Sequence, residues 1–252
     1  RYSSFSDYIS SKLSIYKYCQ FSTVNMDLDL ANDVDGDNYY GIELNNSRCD
    51  FVAKKNGSTY EVFHKGISLI TSNDLVVVGK HNIENLLAAL TLGYRFGLSL
   101  KVMTQAAIDF KGLEHRLEFI STRNNVDYYN DSKSTNAIST KTAINALFEK
   151  YNNLTLIAGG ISKKEDYSEL FQLINEKVSA VVLIGQCRND FSKQITAPHV
   201  EVVESMKKAV SMATSMTEGG AVLLSPGCAS FDMFVDFNDR GETFKRHVLE
   251  GI

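Results

Sequence analysis

With 252 residues, 44% of them hydrophobic, the chain can bury one large core or two moderate ones, and ordinary domain sizes favour two. Lysine and arginine number 26 against 30 aspartates and glutamates, a net charge of -4 spread along the chain, which excludes the concentrated basic footprint of a nucleic-acid binder. No apolar run approaches the roughly 20 residues of a membrane span, and the first residues lack the apolar centre of a signal peptide, so the expectation is a soluble cytoplasmic protein with small-molecule partners.

In chain order, residues 8–18 place Ile9, Leu13 and Tyr16 at helical spacing with Lys12 and Lys17 off that stripe, which predicts an amphipathic helix. From 39 to 75 the pattern becomes β-like. Tyr40, Ile42 and Leu44 alternate, and residues 50–53 and 59–63 flank Asn56-Gly57, a two-residue hairpin signal, so a small antiparallel sheet is expected. Helical stretches follow at 83–94 and 100–110, closed by Gly97 and Gly112.

The domain boundary is placed at Gly112, giving domains 1–112 and 113–252. Beyond it, apolar strands at 126–130, 154–158, 180–184, 200–203 and 221–224 alternate with helical runs at 140–148, 168–176, 190–194, 206–216 and 231–237. Short continuous apolar strands between amphipathic helices imply a mainly parallel sheet covered on both faces, a Rossmann-like α/β domain. No fixed-period repeat or low-complexity tract interrupts it. Cys19, Cys49, Cys187 and Cys228 are far apart in sequence with no CxxC pair, which argues against a zinc site and gives no disulfide framework.

Ligands of open α/β sheets bind beyond the carboxyl ends of strands. Three segments there are polar: Asp131-Ser132-Lys133-Ser134-Thr135-Asn136, Gly159-Gly160-Ile161-Ser162-Lys163-Lys164, and Ser225-Pro226-Gly227-Cys228-Ala229-Ser230. Each is expected to feed a helix whose first N–H groups attract anions, with lysines adding full charge at two of the junctions. Singly, such loops are also ordinary helix caps. Three on one sheet edge predict a shared anion-binding crevice. By spacing alone, Arg116 reads as a linker charge, Lys12 as a solvent-facing helix lysine, and His81-Asn82-Ile83-Glu84-Asn85 as a helix cap.

The run Tyr129-Asn130-Asp131-Ser132-Lys133-Ser134-Thr135-Asn136 resembles the DSKxTN signature of the D-glutamate-adding branch of the Mur ligase family. Gly112-Leu113-Glu114-His115-Arg116 is similar to its GLxHR segment, Gly79-Lys80-His81-Asn82-Ile83-Glu84-Asn85 to its GxHNxxN run, and residues 223–232 to its LLSPxxASxD block, continued by Phe237, Arg240, Gly241 and Phe244. The resemblance covers essentially the whole chain and implies the latter half of such an enzyme, residues 1–112 being the truncated remainder of a central α/β ATPase-type domain. A GTNGKST-like phosphate loop does not occur, and the chain starts without methionine, so a longer parent protein is expected.

That resemblance implies an ADP-forming ligase of peptidoglycan precursor synthesis, serving cell-wall biogenesis, cell shape and division, with ATP and Mg2+. It joins D-glutamate to UDP-N-acetylmuramoyl-L-alanine through an acyl phosphate. Carried over residue by residue, Lys12 is the lysine that becomes a carbamate and binds metal, and Lys133 is catalytic and faces ATP. Asn82, Asn85, Arg116 and Asp131 face ATP, while Thr135, Lys163, Ser230, Phe231 and Phe237 form the D-glutamate pocket. Ile161 stands where some members carry aspartate, leaving Lys164 as a competitor of Lys163. The histidine expected upstream of Lys12 is not in the chain.

The alternatives are another Mur or folylpolyglutamate-type ligase, though no DNPR-like motif occurs, and a noncatalytic nucleotide- or amino-acid-binding module. A nicotinamide oxidoreductase is disfavoured because no GxGxxG follows a predicted strand. Nothing in the sequence demands more than a monomer, and turnover by these 252 residues alone is not expected.

Overall fold

The structure, a computed structural model, describes residues 2–43 and 48–251. The chain divides into two compact units, one of Arg1–Val76 with Lys80–Phe110 and the other of Val77–Gly79 with Lys111–Ile252.

The first unit opens with α1 (Phe5–Leu13), started by the Ser4 side chain accepting from the Asp7 N–H and continued by a 3-10 turn over Ser14–Lys17. No side chain of α1 is buried. Strands β1 (Thr23–Asn25), β2 (Asn38–Ile42), β3 (Cys49–Asn56), β4 (Thr59–His64) and β5 (Ile67–Thr71) form one sheet in sequence order. The expected antiparallel part is β3-β4-β5, with Gly57 at a positive φ of 62° in the tight turn. The sheet is mixed, because β1 and β2 add to it in parallel. Three residues of β1 are too few to show alternation, and Leu44 of the expected pattern lies outside the described residues.

Helices α2 (Lys80–Arg95) and α3 (Leu100–Asp109) cover this sheet. Ile83, Leu87 and Leu90, one stripe at spacings of four and three, pack with Met103 onto Phe51, Ala53, Tyr60, Val62 and Ile70. Because α2 starts at Lys80, residues 81–85 lie within its first turns and do not cap it, correcting the reading from spacing.

The second unit contains β6 (Glu118–Arg123), β7 (Val126–Asn130), α4 (Ala137–Phe148), β8 (Leu154–Gly159), α5 (Ser168–Lys177), β9 (Ala180–Ile184), α6 (Arg188–Ser192), β10 (His199–Val202), α7 (Met206–Ser215), β11 (Gly220–Leu224) and α8 (Phe237–Glu250). Its sheet runs β10-β9-β8-β11-β7-β6, parallel except for the β6-β7 hairpin. Alternate residues of the central strands serve two cores. Leu156, Leu183 and Leu223 face α4, α5 and α6, while Ile157, Val182 and Val222 face α7 and α8. Burial on both sides explains why these strands read as unbroken apolar runs.

Of the run 231–237, expected to be helical, residues 231–236 instead form turns in which the Met233 and Phe234 N–H groups donate to the Ser230 carbonyl. The helix begins six residues later, at Phe237, where the Asp236 carboxylate accepts from the Asp239 N–H. Phe231 and Val235 are exposed while the adjacent Met233 and Phe234 pack against the core, so the segment has no apolar stripe at helical spacing. Phe237, Gly241, Phe244 and Val248 supply one at helical spacing.

Candidate anion-binding site

Strands β8, β11 and β7 are parallel neighbours in register, so the loops after them emerge side by side. The helices after β8 and β11 pack on opposite faces of the sheet, the arrangement that opens a crevice at strand ends. Main-chain bonds knit the loops together. The Asp131 N–H donates to Leu224 O at 2.7 Å, Gly159 N–H to Pro226 O at 2.9 Å and Gly227 N–H to Ser134 O at 3.0 Å, and Ile161 bridges Ala229 in both directions. Gly160 allows this approach, since a Cβ on it would stand 2.2 Å from Ala229 O.

Asp131 is 7% exposed. One carboxylate oxygen accepts the Leu117 N–H at 3.1 Å, and the other accepts the hydroxyls of Ser225, at 2.8 Å, and Ser134. Burial pushes its pKa up to about 6 against these hydrogen bonds and the field of Arg116. Asp131, expected to face ATP, has both carboxylate oxygens engaged inside the loop cluster, where the group ties the first loop to the third.

Arg240, 1% exposed, was passed over as a site residue. Its guanidinium donates to Ser132 Oγ at 3.0 Å, Ser132 O at 2.8 Å and Cys228 O at 3.0 Å, clamping the first loop to the third. Burial lowers its pKa to about 10, so it remains a cation at neutral pH. Its sequence signal was faint, because an arginine inside a charged amphipathic helix ordinarily faces water.

Around this scaffold the expected lysines remain accessible. The exposed Lys133 ammonium lies 3.6 Å above the centre of the Phe237 ring. Lys163 Nζ donates to Thr135 Oγ1 at 3.3 Å, and the Lys163 N–H donates to the Tyr167 hydroxyl, which in turn donates to Gly227 O. Ser230 is buried on the third loop, and Phe231 beside it is 70% exposed. The first N–H of α4, at Ala137, donates to the Glu165 carboxylate at 3.3 Å. Thus Lys133, Thr135, Lys163, Ser230 and Phe237 are linked through one set of loops. Arg116 is exposed next to His115, whose φ is 61°.

In the first unit, Lys12 is exposed on α1 with its ammonium 5.4 Å from the Tyr8 ring centre. Asn82 and Asn85 share one face of α2, with Asn85 Nδ2 donating to Asn82 Oδ1 at 3.4 Å.

The family described as "Mur ligase, glutamate ligase domain" matches residues 115–228, the stretch holding all three loops up to Cys228. A UDP-N-acetylmuramoylalanine--D-glutamate ligase of Marinobacter nauticus is 37% identical over 252 residues, covering 97% of this chain and 56% of that protein. The chain belongs to the Mur ligase family.

Among solved Mur ligases, MurF from Acinetobacter baumannii superposes with a TM-score of 0.70 at 15% identity, covering 98% of this chain and 56% of that one. MurF ligase from Thermotoga maritima in complex with ADP gives 0.66 at 14% identity, covering 97% and 58%. At such identities these two bear on fold alone. The chain spans about half the length of the Mur ligases it matches.

Magnesium, expected from the sequence resemblance, needs several oxygen ligands. Among the described residues no three His, Cys, Asp or Glu side chains converge, so an oxygen ligand set would need a group such as a carbamate on Lys12. No described helix is long and apolar enough to cross a membrane.

Proposed function

We propose that the whole protein is an ATP-dependent ligase that joins D-glutamate to UDP-N-acetylmuramoyl-L-alanine through an acyl phosphate, in cytoplasmic peptidoglycan precursor synthesis, acting as a monomer. Residues 1–112 are the latter part of its central ATP-binding domain and 113–252 its amino-acid-binding domain. The observation that carries this reading is the Lys163-Thr135 contact, made between two loops that main-chain bonds each join to the loop of Ser230, Lys133 being on the loop of Thr135. Two ammonium groups and two hydroxyls on three joined loops make a donor set suited to a dicarboxylate.

Phe237 supports that set by holding Lys133 over its ring, and Phe231 walls it from outside. Asn82, Asn85, Arg116 and Asp131 serve ATP, which activates a carboxylate that is otherwise a poor electrophile. The cationic loops then neutralise the charge crowded around the attacking amine. Lys12 is the residue that would take up carbon dioxide as a carbamate, and its carbamate oxygens would then be anionic ligands for magnesium. These 252 residues alone are inactive, since no Gly-Lys-Ser or Gly-Lys-Thr phosphate loop occurs in them.

The test is phosphate release by the full-length protein with ATP, UDP-N-acetylmuramoyl-L-alanine and a panel of amino acids. Release is expected with D-glutamate and not with L-alanine, L-lysine or diaminopimelate. Equal release with another amino acid, or robust turnover by the 252 residues alone, sinks the corresponding part of the reading.

A further inference from the structure

Two buried thiols meet at the edge of the anion-binding loops. Cys187 Sγ and Cys228 Sγ lie 3.7 Å apart, at 5% and 0% exposure, although 41 residues separate them. They sit on different loops. Cys187 follows Gly185-Gln186 after β9, and its N–H donates to Gly160 O at 3.0 Å. Cys228 lies in the loop after β11, two residues before Ser230, and its carbonyl accepts from Arg240 at 3.0 Å.

Gly160 touches both loops. A Cβ built on it would stand 3.2 Å from the Cys228 Cβ, and one built on Gly185 would stand 2.6 Å from the Gly160 Cα. The contact between the thiols gives them different characters. A hydrogen bond from Cys228 holds the Cys187 thiol below its ordinary range, and the same contact, with burial, drives Cys228 up. Cys187 is also the less buried of the two, 5% exposed against 0% for Cys228, so it is the thiol that a small oxidant meets first.

We propose that Cys187 and Cys228 form a redox pair that a hydroperoxide closes to a disulfide, and that closure displaces the Gly160 and Ser230 loops of the anion-binding site. The Cys187 thiolate attacks one peroxide oxygen. The O–O bond breaks, the departing hydroxide takes a proton as water, and Cys187 becomes a sulfenic acid. Cys228 then forms the S–S bond while the S–O bond breaks, and its proton leaves with the second water. Two thiols lose two electrons, and one hydrogen peroxide becomes two waters.

A disulfide brings its sulfurs to about 2.05 Å, so these must approach by roughly 1.6 Å. Backbones already in contact at Gly160, Gly185 and Ala229 leave little room to absorb that approach locally, and Ala229 adjoins Ser230.

The experiment treats the full-length protein with hydrogen peroxide and then digests it without reductant. The expected results are a mass loss of about 2 Da reversed by dithiothreitol, a peptide linking Cys187 to Cys228, and at least a severalfold change in amide exchange at residues 159–163 and 225–236. Cys187→Ser and Cys187→Ala each abolish the link and leave exchange of the reduced protein unchanged. Modification confined to the exposed Cys19, or sulfinic acid at Cys187 without a link, overturns the pair. A link with unchanged exchange overturns its coupling to the site. None of these readouts uses ATP or D-glutamate, so they stand apart from the ligase reading.

Discussion

The hydroxyl of Ser225 donates to the Asp131 carboxylate at 2.8 Å, joining loops 94 residues apart in sequence. This places a titratable group at the junction of the first and third loops, where burial has raised its pKa to about 6. In the unfolded chain an aspartate ionises near 3.8. Between these values the folded protein keeps a proton that the unfolded chain has released.

Stability therefore falls as pH rises from about 4 through 6, by at most about 3 kcal/mol from this group, and levels off above. Asp131→Asn lacks that titration. The difference in thermal unfolding between wild type and Asp131→Asn should shift in favour of the variant across this window. A difference that stays constant with pH refutes the assignment.

Gly160 sits at φ 135°, where L side chains are strained, with no space toward Ala229 O. Gly160→Ala should destabilise the second unit by about 3 kcal/mol or more, read as lost exchange protection of the β8 and β11 amides. Protection within about 0.5 kcal/mol of wild type would mean that the loops separate freely.

Arg240 brings a buried positive charge to two carbonyls and one hydroxyl without a carboxylate in the fork. Arg240→Met leaves those carbonyls without their donor, at an expected cost of about 3 kcal/mol. Arg240→Lys keeps the charge but loses the planar fork, so it should recover less than half of that. Urea unfolding followed by exchange in β11 distinguishes the two. A lysine variant as stable as wild type would show that charge alone matters.

The parallel strands of the second unit were legible because burial on both faces leaves continuous apolar runs, as in Leu154-Thr155-Leu156-Ile157-Ala158. The β6 strand was not. It is a half-exposed edge, and its hairpin turns on Asn124-Asn125, two residues with positive φ that read as plain polar loop. The three loops could be found because polar residues interrupt apolar text at strand ends. Their internal wiring could not. Arg240, Ser225 and the Cys187-Cys228 contact depend on strand order, and β11 inserts between β7 and β8 out of sequence. The helix at 237–250 was missed because Gly241 and a crowd of charges obscure its four-residue stripe, while Phe231, Met233 and Phe234 suggested apolar text too early.

Lys163 and Lys164 compete for one role in the sequence, and we propose that Lys163 fills it. Lys163 is held at both ends: its N–H by the Tyr167 hydroxyl, its ammonium on Thr135. In the full-length ligase, Lys163→Met should raise the KM for D-glutamate by about tenfold to a hundredfold, the loss of one charge-assisted hydrogen bond, with the KM for ATP nearly unchanged. Lys164→Met should leave both within about twofold, as expected of an exposed lysine outside the site. Thr135→Val, which removes only the hydroxyl that steadies the ammonium, should fall between them. Steady-state kinetics varying one substrate at a time give the ordering, and a larger D-glutamate effect at Lys164 than at Lys163 would reverse the assignment of the pocket.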